Sequence, residues 1–131
     1  MATIDGKQTS SLIVASKVTG ATLYNLKGEQ LGSVHDLMID KRSGNISYAI
    51  ISFGGFLGLG TDYYPLPWKA LRYDMGLGGY VTDITGPQLE GAPTFSEAEQ
   101  AGLTGDDEMR MYNYYSNNER FKALLPFPNS I

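Results

Sequence analysis

The stretch NISYAIISFGGFLGLGTDYYPLPWKAL, residues 45–71, decides the fold. Its first part carries Ile46, Tyr48, Ile50 and Ile51, β-branched or aromatic side chains that pack best on a pleated surface. Apolar residues occupy both parities between Ile46 and Phe53, which predicts a central strand covered on both faces rather than one half-exposed to water. A loop containing Gly54, Gly55, Gly58 and Gly60 follows, longer than a chain needs merely to reverse direction. Tyr63 to Trp68 then resumes as an extended segment. Pro65 and Pro67 lack an N–H, so this second strand is predicted at a sheet edge or a bulge.

Working outward, Thr22–Asn25 and the segment from Gln30 onward read as a hairpin whose turn centres on Lys27-Gly28. In the second of these strands Val34 and Leu37 have opposite parity. A β-bulge near His35-Asp36 would restore one inward face for Val34, Leu37 and Ile39. Residues 41–45 form a turn by composition, with Gly44 its left-handed residue. Residues 68–71 are predicted as a single helical turn. Arg72–Asp74 and Gly79–Ile84 flank a turn at 75–78 and make a last hairpin. About six short strands with regular turn signals predict an all-β fold, a small antiparallel barrel.

The glycines and prolines of residues 86–93 mark a boundary. Beyond it Ser96–Glu99 is a capping box whose helix must end by Gly102, and Thr104–Asp107 opens a second helix. Met109, Tyr112 and Tyr115 are predicted to share its apolar stripe, with Asn117-Asn118 as its stop. The expected organisation is a flexible segment over 1–14, a barrel domain over 15–86, and a C-terminal extension over 87–131 with one or two short helices and an apolar tail. A barrel of some seventy residues buries only about 60 % of its unfolded surface, so the extension or a second copy is expected to add burial.

The strand-and-loop stretch closed by Pro67-Trp68-Lys69-Ala70-Leu71, together with Gly28-Glu29-Gln30-Leu31-Gly32-Ser33-Val34 and Asp36-Leu37-Met38-Ile39-Asp40, resembles the PRC-barrel family. That family is named after the cytoplasmic domain of the photosynthetic reaction-centre H subunit. The resemblance runs from about Ala15 to Ile84. It implies a PRC-like barrel and a non-enzymatic module that docks on a larger assembly, with a link to photosynthetic electron transport. A second implication, from a ribosome maturation factor that carries the same barrel, is a role in RNA processing or ribosome assembly through a protein partner.

Composition narrows the function classes. A formal net charge of −4, with no run of Lys or Arg, argues against direct nucleic-acid binding. The chain has no cysteine, which excludes disulfides, a thiolate nucleophile and Cys-ligated zinc. Residues 1–8 lack the charged and apolar regions of a secretory leader, and no apolar run reaches the length of a membrane span. A cytoplasmic protein without membrane insertion is expected.

No catalytic, metal or cofactor residues are expected. His35 and Asp36 are neighbours on a strand and so point to opposite faces, which prevents a base-and-orienter pair with Ser33 as nucleophile. Asp36 and Asp40 lie roughly 13 Å apart on an extended chain, too far for one ion. Asp106-Asp107-Glu108 lacks the spacing of a calcium loop and suits a helix start. Trp68 reads as a barrel plug. The partner-contact candidates are Phe56, Leu57 and Leu59 in the glycine-rich loop, and Tyr112, Tyr114, Tyr115 and Phe121 in the tail. The tail aromatics are expected either to pack back onto the barrel or to join two copies, and the preferred arrangement is a homodimer in which each tail covers the partner's barrel.

Overall fold

The computed structural model describes residues 10–54 and 62–125 and, as backbone only, residues 3–4 and 7–8. Strands β1 (Thr3–Ile4) and β2 (Lys7–Gln8) pair with each other, and a short helix α1 (Ala15–Val18) follows. The remaining strands are β3 (Thr22–Tyr24), β4 (Gln30–Ile39), β5 (Ile46–Phe53), β6 (Tyr63–Pro67), β7 (Arg72–Asp74) and β8 (Gly79–Val81). They form one six-stranded sheet in the order β6-β5-β4-β3-β8-β7. A 3₁₀ turn at Trp68–Ala70 joins β6 to β7, where a single helical turn was predicted.

Strand β5 is central and β6 is an edge, as the two-sided apolar pattern and the prolines imply. A residue's N–H and C=O point to the same side of a strand and alternate along it. The Tyr63 carbonyl accepts the Phe95 N–H at 3.1 Å and the Pro65 carbonyl accepts the Tyr115 hydroxyl at 2.6 Å, so both point away from β5. The missing N–H of Pro65 faces that same outer side, as does that of Pro67. Neither proline therefore removes a bond from the β5–β6 ladder.

The bulge is present, with His35 as the inserted residue. Val34 lies opposite Ile51 and Asp36 opposite Ile50. Leu37 then lies opposite Ala49, which puts Val34 and Leu37 on one face. Ile39 departs from the prediction. A second register shift after Met38 turns it outward, and it is 55 % exposed. The antiparallel expectation also needs correcting, because β3 and β8 run parallel. The turn after β6 delivers β7 to the far edge of the sheet, so β8 arrives beside β3 pointing the same way.

Strands β6 and β8 are four strands apart, which is about 19 Å across a flat sheet. Yet the rings of Trp68, just past β6, and Tyr80, on β8, have centroids 5.3 Å apart. The sheet is therefore strongly curled. Among the described residues no ladder joins β6 to β7, so the curl is not closed by hydrogen bonds. Leu23, Val34, Ala49, Ile51, Phe53, Leu66 and Tyr80 fill the concave side.

The C-terminal helices are α2 (Gly86–Leu89), α3 (Glu97–Gln100), α4 (Gly105–Ser116) and α5 (Glu119–Lys122). Capping boxes at Ser96/Glu99 and Thr104/Asp107 open α3 and α4. Leu89, Phe95, Met111, Tyr115 and Phe121 belong to the same core as the sheet. They cover the convex face that Tyr48, Ile50, Pro65 and Pro67 present. The buried stripe of α4 is Met111 and Tyr115, while Met109 is 42 % exposed. Three-residue steps turn a helix by about 300° each, so Met109, Tyr112 and Tyr115 drift off one face, whereas four-residue steps stay within about 40° of it. The isolated segment Leu12–Val14 is exposed and forms no strand.

Because the Tyr115 hydroxyl satisfies a buried carbonyl at the sheet edge, Tyr115→Phe should lower unfolding free energy by about 1–3 kcal/mol. The midpoint of chemical denaturation, with an unchanged slope, measures this. A midpoint equal to wild type would show that the Pro65 carbonyl finds another donor.

Candidate functional site

The sequence-predicted tail contacts are held by the chain itself. Tyr115 and Phe121 are buried in its core, their rings edge-on with centroids 5.5 Å apart. The Tyr114 ring stands edge-on to Tyr115, and its hydroxyl donates to the carbonyls of Gln88 and Glu90. Tyr112 is half-buried. Of the two arrangements expected for the tail, packing onto its own barrel is the one seen in this chain. Within the chain, Tyr115 of α4 bonds the Pro65 carbonyl and the Phe95 N–H bonds the Tyr63 carbonyl at the outer edge of β6. Phe56, Leu57 and Leu59 lie outside the described residues.

The only histidine sits at the bulge and joins two distant segments. The His35 ring stacks on Tyr63 at 4.1 Å between centroids and 22° between planes. The Tyr63 hydroxyl donates to Glu97 Oε1 at 3.1 Å, and His35 Nε2 lies 3.6 Å from that same oxygen. The bond to Glu97 raises the Tyr63 pKa above the usual phenol value. The Asp36 carboxylate accepts the Leu37 N–H at 2.8 Å. The bulge thus serves a contact between β4, edge strand β6 and α3. Sequence reading missed it because 62 residues separate His35 from Glu97, and Glu97 sits within an ordinary capping box.

Two adjoining clefts of about 470 and 350 Å³ lie where the β4–β5 hairpin meets the C-terminal helices, and both include Asp40 and Ser47. Met38, Tyr48 and Met111 form the apolar floor of the larger one, with Ile39 and Leu103 at its lips. The Asp40 carboxylate accepts the N–H groups of Arg42 and Ser43, which lower its pKa and fix the hairpin turn. Asp107 is held below the usual carboxylate range by the Thr104 N–H in the cap of α4. Trp68, Lys69 and Leu124 line the smaller cleft. Among the described residues no three His, Asp or Glu side chains converge as a metal site would require. The lining suits an inserted apolar side chain flanked by polar contacts.

The curled sheet, the long β4–β5 hairpin and the Pro-Trp corner agree with a family model for the PRC-barrel domain, which matches residues 12–89. The chain belongs to the PRC-barrel family. No curated protein matches it. The matched region of this PRC-barrel protein ends at Leu89, and the core to which the fully buried Leu89 belongs also includes Phe95, Met111, Tyr115 and Phe121 from beyond that point. No helix among the described residues is long and apolar enough to cross a membrane.

Two buried phenols set an alkaline limit on stability. Burial, then the nearby Glu108 and Tyr112, raises the pKa of Tyr48, and burial among other tyrosines raises that of Tyr115. A folded pKa above the unfolded value of about 10 favours the folded state fully below that pH. The advantage is lost as pH rises from there toward the folded pKa. Denaturation midpoints should be flat between about pH 8 and 9.5 and fall above about pH 10. Phenolate absorbance should show fewer than nine tyrosines titrating before unfolding.

Proposed function

We propose that this PRC-barrel protein is a non-enzymatic interaction module that docks on a larger protein assembly in the cytoplasm. The observation that carries the reading is the open cleft at the end of the β4–β5 hairpin. Ile39 and Leu103 at its lips are 55 % and 42 % exposed, over a floor made by Met38, Tyr48 and Met111. Apolar side chains held exposed beside polar ones are a composition that suits a protein-docking surface. The glycine-rich loop with Phe56, Leu57 and Leu59 is a further contact that the sequence supports. The finer reading, a link to photosynthetic reaction-centre electron transport, rests on the family resemblance.

The test uses the full chain as bait in extract of the source cell, beside an Ile39→Glu/Leu103→Glu variant with an unchanged melting temperature. Truncation after Pro93 would be a poor control, since it removes Phe95, Met111, Tyr115 and Phe121 from the core. Stoichiometric recovery of one complex by the wild type, reduced about tenfold or more by the variant, is the expected outcome and corresponds to about 1.4 kcal/mol of lost binding. Recovery of an electron-transport complex supports the finer reading, and recovery of a ribosomal particle replaces it with the assembly role. Equal recovery by both baits, or recovery of the bait alone, overturns docking through this cleft.

A further inference from the structure

The two edges of the sheet are treated differently. Edge strand β6 carries two prolines and has outward carbonyls bonded by Phe95 and Tyr115. Edge strand β7 is Arg72-Tyr73-Asp74, with Arg72 exposed and Tyr73 44 % exposed. The β7–β8 hairpin closes on the pair Asp74↔Gly79, and the Asp74 carbonyl accepts the Gly78 N–H at 2.8 Å, with Gly78 at φ +68°. The Asp74 backbone therefore faces β8. By alternation the N–H and C=O of Tyr73 face away from β8, toward the free edge. No described residue bonds them.

We propose that this edge pairs with the same edge of a second copy, antiparallel about a twofold axis at Tyr73. In that register the two Tyr73 residues exchange both backbone hydrogen bonds, forming one closed pair. Arg72 of each chain then stands opposite Asp74 of the other, giving two opposite-charge cross-strand pairs on one face. The strand is complementary to itself because its flanking charges are opposite and equidistant from the residue with the outward backbone. An antiparallel strand of another protein would need the same pattern, which a second copy supplies by symmetry. One Asp74 oxygen already accepts the Leu77 N–H at 3.0 Å, which holds the carboxylate in place beside the edge. Met75 and Leu77, exposed in the adjoining turn, add apolar surface. A three-residue ladder is short, so the dimer is weak and concentration-dependent. No β7 residue lines either cleft, so the two surfaces can be occupied independently.

Sedimentation equilibrium on the full chain between about 10 µM and 1 mM, the range in which a weak interface populates, should show the mass rising from one chain toward two. Arg72→Glu and Asp74→Lys each place like charges opposite one another twice, and each should weaken self-association about tenfold or more. Their equimolar mixture restores both opposite-charge pairs and should dimerise as well as the wild type. Melting temperatures establish that the variants are folded, and Arg72→Glu, at an exposed site outside the turn, keeps the test valid if Asp74→Lys is not. Hydrogen exchange of the Tyr73 amide should slow as concentration rises. A one-chain mass at about 1 mM, variants that dimerise as tightly as the wild type, or a dimer whose Tyr73 amide exchanges at the monomer rate would each overturn the proposal.

Discussion

The hydrogen bond from the buried Tyr115 hydroxyl to the Pro65 carbonyl ties the molecule together. A sheet edge exposes backbone groups that must be bonded once apolar side chains bury them. Strand β6 needs to satisfy only carbonyls at Pro65 and Pro67, since prolines carry no N–H. Tyrosine answers that need, because it brings a large apolar ring for the convex face and a hydroxyl donor for the edge. The Phe95 N–H does the same for the Tyr63 carbonyl one step up the strand. Together these bonds turn what reads as an appendage into the outer wall of the core.

From that constraint the rest of the architecture follows. Helix α4 must lie along β6, which puts Met111 and Tyr115 against β5 and leaves its N-terminus near the end of the β4–β5 hairpin. The larger cleft is the gap between the two, floored by Met38, Tyr48 and Met111. Helix α3 is brought beside the bulge in β4, where Glu97 meets Tyr63 and His35. At the other edge nothing comparable among the described residues covers β7. Its protection is charge, shortness and curl, all of which permit weak pairing while discouraging extended aggregation.

The cleft was partly legible in the residues that build it. Asp40 beside a turn, and Thr104 with Asp107 at a helix start, were readable because capping and turn bonds span two to four residues. Nothing in the local pattern indicated that these two motifs would face one another. The cluster around His35 was illegible for the same reason. Its bulge could be inferred from the parity of Val34 and Leu37, but Tyr63 and Glu97 come from segments whose proximity depends on sheet order. The tail's aromatic content signalled burial on its own barrel or on a second copy without naming which, because composition does not identify the surface that provides the cover. The chain's own core holds Tyr115 and Phe121.

Local sequence carries the individual elements: a two-sided central strand at Ile46–Phe53, a proline-marked edge at Tyr63–Pro67, turns at Gly44 and Gly78, and capped starts for α3 and α4. Each rests on steric and hydrogen-bonding preferences that act over a few residues. Tertiary structure alone decided that β8 lies parallel to β3, that Trp68 reaches Tyr80 across the curl, and that Met111 rather than Met109 is buried. Those outcomes depend on which distant surfaces meet. That meeting is settled by burying apolar area while bonding the Tyr63 and Pro65 carbonyls that the β6 edge turns outward.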